Sequence, residues 1–226
     1  MKVELVVFDL AGTTVQDNRD VHRILQFALR KHGITISLED AKAVMGIPKP
    51  IAIKQLLSLR DPAGENGESR IQLIHDDFVS TMIAFYQYDP SVREKSGASE
   101  LFRKLKERKL KIVVDTGFDR EITALLLERM GWEAQGLIDG SVTSDEVKRG
   151  RPYPDLVFRA MEVAGVRDVN AVAKVGDTPF DLQEGKSAGC QFVIGITSGA
   201  FTREELQKEF HTHLIDDLSE LETILN

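Results

Sequence analysis

The sequence predicts an α/β protein: a doubly wound, Rossmann-like parallel sheet core carrying an inserted all-helical domain. Three observations support this. Short β-branched runs end in polar, glycine-containing loops that carry Asp9, Thr116 and Asp177, helical spacing fills the intervals after residue 97, and residues 17–88 contain no strand signal. The core is expected to comprise residues 1–16 and 89–226, and the helical insertion, a lid, residues 17–88.

Residues 3–8 (VELVVF) form an apolar run suited to a strand buried on both faces, stopped by Asp9 and the small turn-forming residues after it. From 21 to 59 the pattern is helical: Val21, Ile24, Leu25, Ala28 and Leu29 share one face, and Ser37 with Asp40 forms an N-terminal capping pattern. Residues 61–69 (DPAGENGES) read as a polar linker, and 71–86 return to helical spacing. A βα rhythm then resumes, with helix 99–108, strand 111–114, helix 120–130, the loop 149–154 (RGRPYP), a helix to about 164, and strands at 171–175 and 192–196. In such sheets ligands bind beyond the carboxyl ends of the strands, which gathers Asp9, Thr116 and Asp177 at one crevice.

With 226 residues, 42% of them hydrophobic, the chain can bury a full core. Its formal charge of -7, from 36 acidic and 29 basic residues without long blocks of either sign, argues against nucleic acid as a partner. No apolar stretch approaches the roughly 20 residues that span a bilayer. The single cysteine, Cys190, leaves no intrachain disulfide, and the opening from Met1 to Phe8 enters a strand-like run with no signal-peptide pattern, so a reducing, cytoplasmic setting is expected.

A carboxylate such as Asp9 attacks phosphorus only when the repulsion between two anions is relieved by a cation and fixed donors. Asp177 and Asp181, four residues apart at a strand end, suit a hard cation such as Mg²⁺, with Asp181 either ligating it or orienting its water. Thr116 offers a hydroxyl and a neighbouring N–H, and Arg151 a permanent forked charge, as an oxyanion cradle.

Taken in order, Asp9-Leu10-Ala11-Gly12-Thr13, Thr116-Gly117, Arg151, and Gly176-Asp177 with Asp181 resemble the four motifs of the haloacid dehalogenase superfamily. The resemblance covers nearly the whole chain. It implies an Asp9 nucleophile, Mg²⁺ held by Asp9, Asp177, Asp181 and the main chain of Ala11, substrate contacts at Ala11, Gly12, Thr116, Gly117 and Arg151, and a helical cap that closes over the site.

Phosphatases of that superfamily carry a general acid two residues after the nucleophile, where this chain has Ala11, which cannot donate a proton. An acid there matters less if the leaving atom is carbon, because a carbanion needs a conjugated electron sink, such as a lysine imine. The cap segment Val44-Met45-Gly46-Ile47-Pro48-Lys49, the Ala11-Gly12-Thr13 form of the first motif, and Arg151 in place of the usual lysine resemble the phosphonatase branch, the phosphonoacetaldehyde hydrolases. That resemblance implies a Schiff base on Lys49, substrate contacts at Met45 and Gly46, C–P cleavage of a small phosphonate, and room for a homodimer joined through the caps. Two departures remove polar groups: the histidine expected three residues after the lysine is Ala52, and the tyrosine after Thr116-Gly117 is Phe118. The rival enzymatic reading is a phosphatase of a small phosphorylated metabolite, with a phosphomutase behind it. The rival from another class is a catalytically silent metabolite-binding protein.

Read without the motifs, Lys49 is a solvated lysine at a helix entrance and Met45 a core filler. The five histidines show no metal-ligand spacing and are assigned no role; Cys190 reads as an inert core thiol. Lys174 either points toward the acids or pairs with a helix.

Overall fold

A computed structural model describes residues 2–62, 64 and 67–225. Strand β1 (Leu5–Asp9) is followed by α1 (Asp20–Lys31), α2 (Leu38–Lys42), α3 (Lys49–Arg60) and α4 (Glu68–Tyr88). Then come α5 (Ala98–Glu107), β2 (Lys111–Asp115), α6 (Arg120–Met130), β3 (Gly140–Val142), α7 (Asp155–Ala164) and β4 (Val172–Gly176). The chain finishes with α8 (Pro179–Ala188), β5 (Phe192–Ile196), α9 (Arg203–Leu206), β6 (His213–Ile215) and α10 (Leu221–Ile224). Of the sequence segments read above, Met1 in the opening run and Ala63, Glu65 and Asn66 in the polar linker lie outside the described residues.

The strands form one parallel sheet in the order β3-β2-β1-β4-β5-β6. Leu5, Val6, Val7 and Phe8 are all fully buried, and alternate residues serve opposite faces. Val6 and Phe8 join Ile112, Val114, Val175 and Ile194 in one apolar cluster, while Leu5 and Val7 join Val113, Val172 and Val193 in the other. The chain reverses direction across the sheet between β1 and β4, the place where doubly wound folds bind ligands. Register sets Asp9 beside Asp115 on one flank and Phe8 beside Val175 on the other, so the loops after β1, β2 and β4 emerge together.

Helices α1–α4 follow β1 directly and pack on one another, α4 leaning on α6 of the sheet layer. Ser37 caps α2 in a reciprocal box with Asp40, as the sequence pattern predicts. Arg129 of α6 donates to the Tyr86 carbonyl at 2.6 Å and the Asp89 carbonyl at 2.5 Å, and Lys42 pairs with Glu205 of α9 at 2.6 Å. The loop before α3 docks most closely. A side chain at Gly117 would sit 2.9 Å from the Gly46 carbonyl, and one at Gly150 would run into Pro48. Among the described residues no helix is long and apolar enough to cross a membrane.

Two strands and three helices, α8, α9 and α10, escape the sequence reading, the last two with only four residues each. β3 and β6 have three residues each, too few for a period to register, and α8 starts inside the acidic loop, with Thr178 and Asp181 forming its capping box.

Candidate active site

Asp9 closes β1 and is 5% exposed; its Oδ1 accepts a hydrogen bond from Arg151 Nη1 at 2.8 Å. Asp177, fully buried just after β4, accepts from the Thr13 hydroxyl at 3.2 Å and from the Ala200 N–H at 2.6 Å. Asp181, in the first turn of α8, spends Oδ2 on Thr178, while Oδ1 has no hydrogen bond and lies 3.1 Å from Arg151 and 3.3 Å from Lys174. Each of Asp9, Asp177 and Asp181 has a carboxylate oxygen within 4.8 Å of the others'.

Behind them lies a charge network the sequence reading did not identify. Arg151, 2% exposed, donates to Glu184 at 3.0 Å and to Asp115 at 2.6 Å. Lys174 points toward the acids, pairing with Asp115 and lying 3.1 Å from Glu184. Two cations thus face Asp9, Asp115, Asp181 and Glu184, with Asp177 beside them. Burial, and then the Asp181 charge, raises the Asp9 carboxyl to about 6; burial lifts Glu184 to about 8, and burial with the Asp9 and Asp181 charges lifts Asp177 well above the carboxylate range. Asp115, against its burial, is held low by Arg151 and Lys174. A cluster with this surplus of hard oxygen donors and negative charge fits a divalent cation such as Mg²⁺.

The cavity above these acids is lined by Asp9, Ala11, Arg151 and Asp177 from below, Thr116, Gly117 and Phe118 from the β2 loop, and Met45, Gly46 and Lys49 from the helical segment. Nearly all the expected substrate-contact residues therefore converge. Gly12 does not line it: with φ at +94°, it packs behind Asp177, whose carboxylate a side chain there would strike. Asp181 also stands off the wall, because its carboxylate is turned to the helix cap and to Arg151. Arg151 reaches the cavity with its donors directed to carboxylates and carbonyls, so its guanidinium orients Asp9 as much as it could bind an anion. Thr116 Oγ1 accepts from the Phe118 N–H at 3.1 Å, leaving its hydroxyl proton to donate.

Lys49, the first residue of α3, is 4% exposed. Its Nζ lies 5.4 Å from the Phe118 ring centre and 5.8 Å from that of Phe78, and its one hydrogen bond among the described residues, to the Ile47 carbonyl, is 3.4 Å long. No carboxylate among the described residues comes within ion-pair distance. Burial, and then the Arg151 charge, lowers the amine to about 8. Asp17 and His22 also border the cavity, although no spacing in the sequence singles them out. Cys190 is a buried thiol, pushed up to about 12 by burial.

Asp9, Asp177 and Asp181 thus gather at the carboxyl ends of the strands, where sheets of this order bind their ligands. Residues 3–189 match the family described as haloacid dehalogenase-like hydrolase, and the chain belongs to that family. It is 30% identical over 221 residues to the phosphonoacetaldehyde hydrolase of Bacillus cereus, spanning 92% of this chain and 82% of that one, which places it in the phosphonatase-like branch. In fold it superposes on a phosphonoacetaldehyde hydrolase-like protein from Oleispira antarctica with a TM-score of 0.87 at 23% identity, covering 100% of this chain and 92% of the other. A predicted phosphoglycolate phosphatase from Haemophilus somnus superposes with a TM-score of 0.83 at 18% identity, covering 100% and 99%.

Proposed function

We propose that the chain hydrolyses the C–P bond of phosphonoacetaldehyde or a related small phosphonate, using Asp9 at phosphorus and Lys49 at the aldehyde. The observation that carries this reading is Lys49 itself. It is a buried amine with no carboxylate partner among the described residues, facing the same cavity as Asp9, with an ammonium weakened enough to supply free amine near neutral pH. A lysine kept merely for stability would be paired.

In this reading Lys49 condenses with the aldehyde, and its iminium accepts the electron pair of the C–P bond as Asp9 displaces carbon from phosphorus. The resulting enamine is protonated and hydrolysed to acetaldehyde, and water releases phosphate from the Asp9 acyl phosphate. Arg151 aims Asp9, Thr116 and the main chain at Gly117 hold phosphoryl oxygens, and Met45 and Gly46 wall the aldehyde end. Mg²⁺, held by Asp9, Asp177, Asp181 and the Ala11 carbonyl, would offset the charge of the phosphonate and of the acids. Residues 17–88 act as the cap in this account: Met45, Gly46 and Lys49 wall the cavity that Asp9 and Asp177 floor, and movement of these helices would open and close it over the substrate.

A second reading, hydrolysis of a small phosphate ester, draws on Asp17, a cavity carboxyl raised by burial that could serve as the acid missing at Ala11. The test is product analysis with Mg²⁺: stoichiometric acetaldehyde and phosphate from phosphonoacetaldehyde supports the first reading. Turnover confined to a panel of phosphate esters would replace it with the second.

A further inference from the structure

We infer that His22, in the first turn of α1, carries protons between the Lys49 amine and the carbonyl oxygen of the substrate; this rests on the imine reading above. His22 is 3% exposed and borders the same cavity as Lys49. Neither ring nitrogen has a hydrogen-bond partner among the described residues, and Nδ1 is buried in that state. Its nearest carboxylate, Asp17 Oδ2, stands 3.9 Å from Nδ1, beyond hydrogen-bond reach, while Asp17 Oδ1 accepts from the Asp20 N–H at 2.6 Å. An imidazole held dry and unpaired is costly, and such exceptions in a cavity wall point to a group that the ligand satisfies.

The other side chains around Nζ leave the task to His22. Phe118 has nothing to ionise, Arg151 is committed to carboxylates, Asp9 is needed at phosphorus, and Asp17 spends Oδ1 on the N–H groups of Asp20 and Val21 at the start of α1. Burial, and then the charge of Lys49, with Arg19, Lys42 and Arg23 adding to it, lowers the imidazolium to about 4, so His22 starts as the free base. The Lys49 contribution vanishes when the amine gives up its proton, and the ring becomes more basic as a relay from that amine requires.

The step balances without a further reactant. The Lys49 ammonium nitrogen carries three protons and the iminium nitrogen one. The amine lone pair forms the C–N bond, the carbonyl π electrons move to oxygen, and the two protons removed from nitrogen leave with that oxygen as water. His22 takes each from nitrogen, hands it to oxygen, and ends as it began.

The test is the rate at which phosphonoacetaldehyde forms a cyanoborohydride-trapped adduct on Lys49, followed by intact mass in the wild type, His22→Gln and His22→Ala, with folding checked by circular dichroism. The inference predicts trapping slowed about 10²-fold in both variants, with added imidazole restoring much of the rate in His22→Ala only. A structural role would show no such rescue. Wild-type trapping rates in either folded variant would overturn the relay while leaving the imine standing. Absence of any adduct on the wild type would instead overturn the imine reading and the relay with it. Glutamine matches the ring's reach, so His22→Gln decides the matter if the alanine variant fails to fold.

Discussion

Replacing Lys49 by methionine should make the protein more stable and end its aldehyde chemistry. Methionine keeps the length and apolar stem of lysine and makes favourable contacts with rings such as Phe78 and Phe118. In the wild type the amine falls from its ordinary 10.5 to about 8, and at about 1.36 kcal/mol per pH unit the charged form costs about 3 kcal/mol in the folded state. The lost cation–π contacts offset about 1 kcal/mol of that, leaving a net gain of about 2 kcal/mol at pH 7. The sign follows from proton counts. Below about pH 8 both folded and unfolded lysine are charged and the full penalty stands; between 8 and 10.5 only the unfolded chain binds the proton, so wild-type stability rises with pH. The penalty shrinks to about 1 kcal/mol at pH 10, where the folded amine is uncharged and makes no cation–π contact, so the variant's advantage should fall to about 1 kcal/mol. Urea denaturation at pH 7 and pH 10 measures this, with a midpoint shift of about 1 M at pH 7. A variant less stable than the wild type at pH 7, or an advantage indifferent to pH, would refute a dry, unpaired Lys49 ammonium.

Gly117→Ala puts a methyl 2.9 Å from the Gly46 carbonyl and should hold the helical segment off the loops, cutting turnover at least about tenfold while circular dichroism stays unchanged. Asp115→Asn removes a buried partner of both Arg151 and Lys174 and should destabilise the fold by about 3–5 kcal/mol in urea denaturation; a loss under 1 kcal/mol would mean the network reorganises freely. Chelation of divalent cations should abolish phosphate release yet leave borohydride trapping at Lys49 largely intact, since the acids of the metal cluster and the amine have separate tasks. Ala11→Asp should raise hydrolysis of alkyl phosphates relative to p-nitrophenyl phosphate, whose leaving group needs no acid; equal change in both would show that an acid at position 11 cannot reach the leaving oxygen.

What the sequence discloses depends on how local the physics is. Leu5 to Phe8 is readable as a strand because burial on both faces requires an unbroken apolar run, and α6 because its period and its flanking Asp119 and Gly131 bound it. β3 and β6 exist through pairing with neighbours, which three residues cannot announce. The acids at positions 9 and 177 are legible at strand ends and Asp181 by its spacing from Asp177, whereas Asp115 and Glu184 join the site only through the register of β1 with β2 and the turn of α8. Glu184 does lie three residues after Asp181, one helical turn on, a spacing that puts both on one face. His22 has no such signal: only the folded arrangement brings it to the cavity that Asp9 and Lys49 line. The seam at Gly46, Gly117 and Gly150 is likewise a product of packing, since a side chain at each would strike residues remote in sequence: Thr178 at Gly46, the Gly46 and Ile47 main chain at Gly117, and Pro48 at Gly150.

In the proposed reaction Lys49 and Asp9 work on one substrate from two walls of one cavity. Peptide mass mapping after borohydride treatment of the protein with phosphonoacetaldehyde and Mg²⁺ tests it most directly, with phosphate measured in the same tube. A reduced adduct on Lys49 is expected, with phosphate release that Asp9→Asn eliminates while the adduct remains. Phosphate release with no adduct, or with the adduct on another lysine, would contradict it.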